Sequence, residues 1–360
     1  MILSWLSARR IAILSLVTVL ITITLWSLLW TVGAVQYRAY IDGWIASHRT
    51  QGYQVSYDTR DTMGFPGEIS LHYSNFVLQS PDGVKIHAND VSLSAFPWHW
   101  NDLEAKLKHG FDLSIPFTDL KTLSIRSEVA ARNHTKLDAN GDWLFVDLEL
   151  EQANAVWGET PFFTAGKFEV AMQRPDRAPK DRHDTGLTVT ARTDNLTMPN
   201  EYAGPFGPHV QNVDASMRVM GPVPDPRLKE SVEAWNASGG TVEFDKFFLS
   251  WGALLLQSKG TLGLDDELQP EGAFSAAIGN SGEVIKVLLA SGAIPQRQTA
   301  MLDSALDLFT KKTVVEGHDG IEAPLAVQLG GFFLGPVRIF EFPEIEWPHA
   351  DPAAPSSPTQ

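Results

Sequence analysis

The sequence predicts an α+β fold that is mainly antiparallel β: an N-terminal transmembrane helix, then a β-rich domain of two similar layers with a few covering helices. Three observations carry this expectation. The stretch from Ile11 to Val35 holds no charged residue. From Tyr53 onward the apolar pattern alternates residue by residue, broken at short intervals by Gly, Pro, Asn and Asp. Finally, Val146 to Val170 lies over Gly240 to Leu264 at a constant offset of 94 residues, with Trp157-Gly158 on Trp251-Gly252 and Gly166 on Gly260.

About 20 apolar residues at ~1.5 Å each match a hydrocarbon layer of about 30 Å. Ile11 to Trp30 has that length. Arg9 and Arg10 precede it, so the positive-inside bias leaves the tip, residues 1–10, in the cytoplasm and exports the rest. Trp5 before the run, and Trp26, Trp30, Tyr37 and Tyr40 towards its far end, stand where interfacial aromatics are expected. Val32-Gly33-Ala34 offers small residues of the kind a signal peptidase accepts. An apolar run longer than the roughly 7–15 residues of a secretory leader nevertheless favours a retained anchor. Ser15, Thr18 and Thr22 share one helical face, either bonded to their own helix carbonyls or available for helix pairing. The expected location is the inner (cytoplasmic) membrane, single-pass through residues 11–35, with the bulk of the chain periplasmic. Residues 36–52 keep a helical period through Tyr37, Ile41, Trp44 and Ile45, which predicts a juxtamembrane helix packed under the folded domain and ended by Gly52.

With 360 residues and 44% hydrophobic content the chain can bury a substantial core. All 43 acidic residues follow the apolar run, against 26 of the 28 basic ones, so the part beyond it carries about −17. That balance argues against nucleic acid as a partner and against electrostatic docking on anionic lipid, since both need basic patches. The absence of cysteine removes disulfides and thiolate chemistry.

Beyond Tyr53 the clearest strands are 68–79, 84–95, 120–130 and 143–151, with Pro81-Asp82-Gly83 and Asn140-Gly141-Asp142 as turns. Later strands are expected at 162–173, 185–196, 210–220, 241–251, 253–264, 272–278, 321–329 and 332–340. Amphipathic helices at 226–235, 282–289 and 296–310 are expected to lie on the sheet and cover it. The repeated Trp-Gly pairs predict two similar β layers in series: a β-rich half at 53–222 and a second with helices at 223–347, divided near Pro222 to Pro226. Arg174 to Asp184 is a charged exposed loop, and residues 348–360 are an expected disordered tail.

Gly64-Phe65-Pro66, Phe96-Pro97-Trp98, the stretch Gly260 to Pro270 and Gly335-Pro336 together resemble the bacterial, mainly alphaproteobacterial, family of membrane-anchored envelope proteins catalogued as domain of unknown function 2125. The resemblance covers most of the chain beyond the apolar run. It implies no established activity and transfers no functional residue. More remotely, an anchor followed by strands in series is similar to proteins of the AsmA kind, whose long sheets resemble lipid-handling grooves; this is analogy of architecture.

Catalytic motifs are missing: no His-Glu-x-x-His, no Gly-x-Ser-x-Gly, no phosphate loop and no Gly-x-Gly-x-x-Gly. His72 and His87, on neighbouring predicted strands, are weak metal candidates, and neither a metal nor a cofactor is expected. Asp265-Asp266-Glu267 is a solvated turn or a weak cation site. Arg182-His183-Asp184 lacks a nucleophile beside it. Trp98, Trp100, Trp157 and Trp251 are the candidate ligand-binding residues, because indoles at strand ends touch lipid or a partner when they do not complete a core. The expected function is that of an envelope protein without catalysis, binding a lipid-like ligand or an envelope partner. The alternative is a periplasmic hydrolase or polysaccharide-processing enzyme on a β scaffold, with Asp265 and Glu267 as its carboxylates.

Overall fold

The charge-free run and the helical period after it form one continuous helix, α1 (Ile2–Thr50). The computed structural model describes residues 2–116, 122–138, 141–225, 228–294, 310–334 and 337–342, together with Ser304, Leu306, Leu308, Glu344, Ile345 and Trp347. By length and composition α1 can cross a membrane. Its hydroxyls turn inward on the helix: Thr18 donates to the Leu14 carbonyl over 2.9 Å and Ser27 to that of Ile23 over 2.8 Å. At the other end the Tyr53 N–H reaches the His48 carbonyl at 3.1 Å and the Gly52 N–H reaches that of Arg49, with Gly52 left-handed, so the last carbonyls are satisfied and the helix stops.

The strands after α1 fall into two compact units, Met1–Ile115 with Glu128–Asp142, and Pro116–Ser127 with Trp143–Gln360. In the first unit β1 (Gln54–Ser56) and β2 (Thr59–Met63) pair in succession with one edge of β3 (Ile69–Gln79). The other edge of β3 pairs with β4 (Lys85–Phe96). Beyond β4 the edge is again shared, by β5 (His99–Leu107) near one end and β6 (Phe111–Pro116) near the other, and β8 (Ala131–Leu137) closes on β5. Ala34, Tyr37, Ile41 and Ile45 recur every three or four residues along α1 and are buried, as are Ile69, Leu71 and Tyr73 of β3. The juxtamembrane part of the helix therefore packs against the sheet, as its apolar stripe requires.

The second unit is a run of consecutive antiparallel strands. β7 (Thr122–Ser127) pairs with the end of β9 (Trp143–Trp157); β10 (Thr160–Gln173), β11 (Thr185–Thr197), β12 (His209–Met220), β13 (Val242–Trp251), β14 (Leu254–Leu264) and β15 (Pro270–Gly279) then follow, each beside the one before. β17 (His318–Gln328) pairs with β15 on one side, and on the other with β16 (Lys311–Val315) and β18 (Gly331–Leu334), which pairs with β19 (Val337–Glu341). Both Trp-Gly pairs of the repeat close two-residue hairpins, β9–β10 and β13–β14, with Gly158 and Gly252 at positive φ where a primed turn needs it. The two hairpins belong to the same run of strands. Gly166 and Gly260 lie inside the returning strands, and Gly260 faces the register shift between Phe244 and Phe247. The position near Pro222 to Pro226 falls within the second unit, between β12 and helix α2 (Lys229–Ala237).

Helix α3 (Ser281–Ala290) matches the expectation at 282–289, whereas most of the expected helix at 296–310, Gly335-Pro336 and the tail at 348–360 lie outside the described residues. α3 packs on β17, where Ile294, Ala323, Leu334 and Val337 are buried together with Ile285, Leu288 and Leu289 against them.

Candidate functional site

In the first unit, two turns at one end of the sheet reach α1. Gly64-Phe65-Pro66-Gly67 joins β2 to β3, and Phe96-Pro97-Trp98 joins β4 to β5. Trp26 and Trp30, one helical turn apart, donate their indole N–H groups to the Pro66 and Gly67 carbonyls over 2.9 and 3.0 Å. Rings meet there too: Phe65 stands edge-on to Trp30 at 5.5 Å, and Trp98 lies 5.8 Å from Trp26 while stacking on Phe96. Gly64 is required on two counts, since its φ is +106° and a Cβ there would stand 1.9 Å from the Glu68 carbonyl oxygen. Gly33 allows the close approach, as its Cβ position is 3.2 Å from Ile69 and 3.4 Å from Pro97. On their outer side Met63, Phe65, Phe96 and Trp98 are each about half exposed, between 45% and 53%. Trp100 does something different: it meets the buried Tyr37 ring edge-on at 5.9 Å and completes the helix–sheet contact. Burial raises the pKa of the nearby Tyr73 phenol, although Arg60 acts the other way.

An apolar face runs across the second unit from β9 to β17. Phe168, Thr193, Val213, Leu249, Leu256 and Ile278 stand side by side in successive strands β10 to β15, continued by Leu150 of β9 and Ile321 of β17. Two residues along each strand comes a second row through Val170, Ala215 and Phe247, and a third follows through Met172, Met217, Phe244 and Phe274. Eight strands at about 4.8 Å make each row roughly 34 Å long. Apart from Thr193 and Ala215, these row members on β10 to β15 are half-buried. α3, expected to cover this face, packs on β17 at its far end.

The opposite face is a ladder of charge. Lys167 binds Glu149 at 2.8 Å and Glu169 at 2.5 Å; Arg192 reaches Glu169 at 3.9 Å and Asp214 at 3.1 Å; Lys246 joins Asp214 at 2.7 Å. Burial pushes the Asp214 carboxyl up, but the hydrogen bonds from Lys246 and Arg192 outweigh it and hold the group below the ordinary carboxylate value. From β9 to β13 the sheet thus has one charged side and one apolar side, Phe248 beside Asp214 being the apolar member of the charged row.

A comparison with protein families matches residues 30–343 to uncharacterized proteins conserved in bacteria, domain of unknown function 2125. The chain belongs to this DUF2125 family. The matched stretch takes in both turns on α1 and every strand of the two units. Comparison with curated proteins and with solved structures returns no match.

In this DUF2125 protein the remaining candidates are placed apart. Trp157 and Trp251 end β9 and β13, strands of the same direction four positions apart, and the register sets Trp251 level with Ala153, so they are separated by about 19 Å across the sheet and by about four residues along it. Trp251 continues the apolar face beyond Phe247 and Leu249, and its indole covers the preceding loop, donating to the Gly207 carbonyl at 2.7 Å and meeting Phe206 edge-on at 5.5 Å. Trp157 lies 6.4 Å from Phe162. His72 and His87 do not converge: His72 faces Ser92 while His87 faces Val77, five residues along β3, and His72 bonds Ser70 at 3.1 Å. Among the described residues no three His, Asp or Glu side chains are grouped to hold a metal. Asp265 Oδ1 accepts the amides of Glu267 and Gln269 at 3.0 and 2.7 Å, which shapes the β14–β15 turn, with Asp266 and Glu267 exposed on it. Asp181 and Asp184 of the charged loop likewise accept the amides of His183 and Lys180, both at 2.8 Å. The alternation of single strands was legible; what sequence reasoning missed is that the register aligns them into rows, and that Trp26 and Trp30, four apart, mark the helix face that takes the two turns.

Proposed function

We propose that this protein is a single-pass protein of the inner membrane, its N-terminus cytoplasmic and its strands periplasmic, that holds a lipid-like ligand by its acyl chain against the apolar face of the second unit, without catalysis. The observation that supports this reading is the set of three apolar rows from β9 to β17. Half-buried apolar side chains aligned over that extent suit a flexible hydrocarbon chain, which needs no directional partner. Trp251 at the end of the face, amphipathic by nature, suits the junction between an acyl chain and its headgroup.

The test is photo-crosslinking of a phospholipid carrying a photoactivatable acyl chain to the full chain in vesicles, with adducts mapped by mass spectrometry. Adducts on β10 to β14 are expected, reduced at least tenfold by Val213→Asp with Leu249→Asp. Adducts confined to α1, or unchanged in the double variant, would remove the lipid reading and leave an envelope partner as the occupant of the face.

A further inference from the structure

The two turns on α1 lie at a depth that the helix itself measures. From Ile11 to Trp30 the run spans about 30 Å, the thickness of a hydrocarbon layer. Arg38 is the first charged residue after Arg10, and the helix between them is roughly 42 Å long, the thickness of a bilayer with its headgroups. The turns bind at Trp26 and Trp30, so they touch the last ~6 Å of the apolar span, not the segment beyond Arg38.

Their chemistry agrees with that depth. Met63 to Gly67 and Ala95 to Trp98 contain no ionisable residue, although the chain beyond the run is rich in acid. Their outward side chains are Met63, Phe65, Phe96 and Trp98, all about half exposed. Irregular backbone among lipids must have its polar groups satisfied by protein, and the two indoles satisfy the Pro66 and Gly67 carbonyls. In water those carbonyls would need no such partners.

We infer that the turns Gly64–Gly67 and Phe96–Trp98 are a second membrane contact, immersed in the leaflet at the C-terminal end of α1, with Phe65, Phe96 and Trp98 among the phospholipids. This rests on α1 crossing the membrane. The anchor then does more than tether: the turns fix the height and tilt of the first unit above the bilayer, as interfacial aromatics do for single helices.

The chain has no cysteine, so single-cysteine variants can carry a nitroxide label without background. Phe65→Cys, Trp98→Cys, Leu20→Cys within the apolar run and Leu329→Cys, at a turn 80% exposed, are labelled in the full chain and reconstituted in phosphatidylethanolamine–phosphatidylglycerol vesicles. Collision with oxygen, which concentrates in lipid, is compared with collision with a water-soluble nickel chelate. At positions 65 and 98 the oxygen-to-nickel ratio is expected to exceed that at 329 several-fold, approaching that at 20. A lipid signature at 20 with an aqueous one at 65 and 98 overturns the inference and leaves the anchor standing. An aqueous signature at 20 overturns both. Shielding of 65 and 98 from both agents shows a protein contact instead and also overturns it. Phe96→Cys replaces either turn variant that does not fold.

Discussion

The Arg60 guanidinium on β2 grips the Asp42 carboxylate on α1 with both terminal nitrogens, Nη2 reaching the second oxygen at 3.3 Å. Arg60 is 10% exposed and Asp42 47%, so the arginine is the member that loses most if the pair breaks. Asp42→Asn is expected to destabilise the helix–sheet contact by about 1–2 kcal/mol, the value of a charge-assisted hydrogen bond partly open to water. Arg60→Lys should cost a similar amount, since an ammonium cannot reproduce the fork. Replacing both, by Asp42→Asn with Arg60→Met, should recover much of the loss, because no buried charge is then left alone. Thermal unfolding of the unchanged protein, these three variants and Arg60→Met alone in detergent, with amide exchange across Gln54–Ser56 and Thr59–Met63, checks this. Additive losses in the double variant would show that the two residues act independently.

The charge ladder of the second unit makes stability depend on acid. The Asp214 carboxyl lies below its ordinary value near 3.8, and so does that of Asp245, which Arg218 binds at 2.6 and 2.7 Å. A carboxyl depressed in the folded state binds its proton later than in the unfolded chain. The stabilisation is therefore complete above the ordinary carboxylate value and is lost as pH falls from there through the lower folded value. Asp214→Asn should flatten that acid limb while lowering stability at neutral pH by about 1 kcal/mol or less, since the pairs lie at the surface and salt screens them. Urea midpoints between pH 7 and the acid limb, at low and high salt, check both parts. An acid limb as steep as in the unchanged protein would assign the sensitivity to other carboxylates.

Which parts of this architecture were legible follows from the range of the forces that set them. α1 and its stop at Gly52 depend on neighbours in sequence, and they stand where the apolar period and the glycine put them. The β13–β14 hairpin does too, since strands expected at 241–251 and 253–264 leave only a tight turn at Trp251-Gly252, which is local chemistry. By contrast β5 and β8, with sequences HWNDLEAKL and ARNHTKL, show no clean alternation and were not expected. They are strands because pairing partners supply what their side chains do not: Glu104 reaches Arg132 at 3.5 Å across the β5–β8 register, besides Lys106 of its own strand at 2.7 Å. The same non-local register hid the apolar face, since Phe168 and Leu249 become neighbours in a row only once β10 to β13 are aligned. Trp98 and Trp100, two residues apart, looked alike in sequence and separate in the fold, one on the exposed turn and one on the Tyr37 core.

The stretch GTLGLDDELQP opens with two glycines three residues apart that the fold treats differently. A Cβ on Gly260 would stand 2.3 Å from the Ala273 carbonyl oxygen and 2.7 Å from the Phe274 Cα, backbone atoms of the paired strand β15 that cannot swing aside. A Cβ on Gly263 would meet nothing closer than 3.8 Å. Neither has positive φ, so the difference is one of space alone. Gly260→Ala is expected to cost about 1–3 kcal/mol, the range for overpacking a tight site. Gly263→Ala should stay within about 0.5 kcal/mol of the unchanged protein, the loss of chain entropy in the unfolded state acting in its favour. Because Gly260 sits in the third apolar row between Phe244 and Phe274, forcing β14 and β15 apart there also spreads the face around those two rings. Gly260→Ala should then weaken capture of the photoactivatable lipid more than its stability loss alone implies, whereas Gly263→Ala should leave it unchanged. Equal unfolding midpoints for the two variants would show that β15 yields at Ala273.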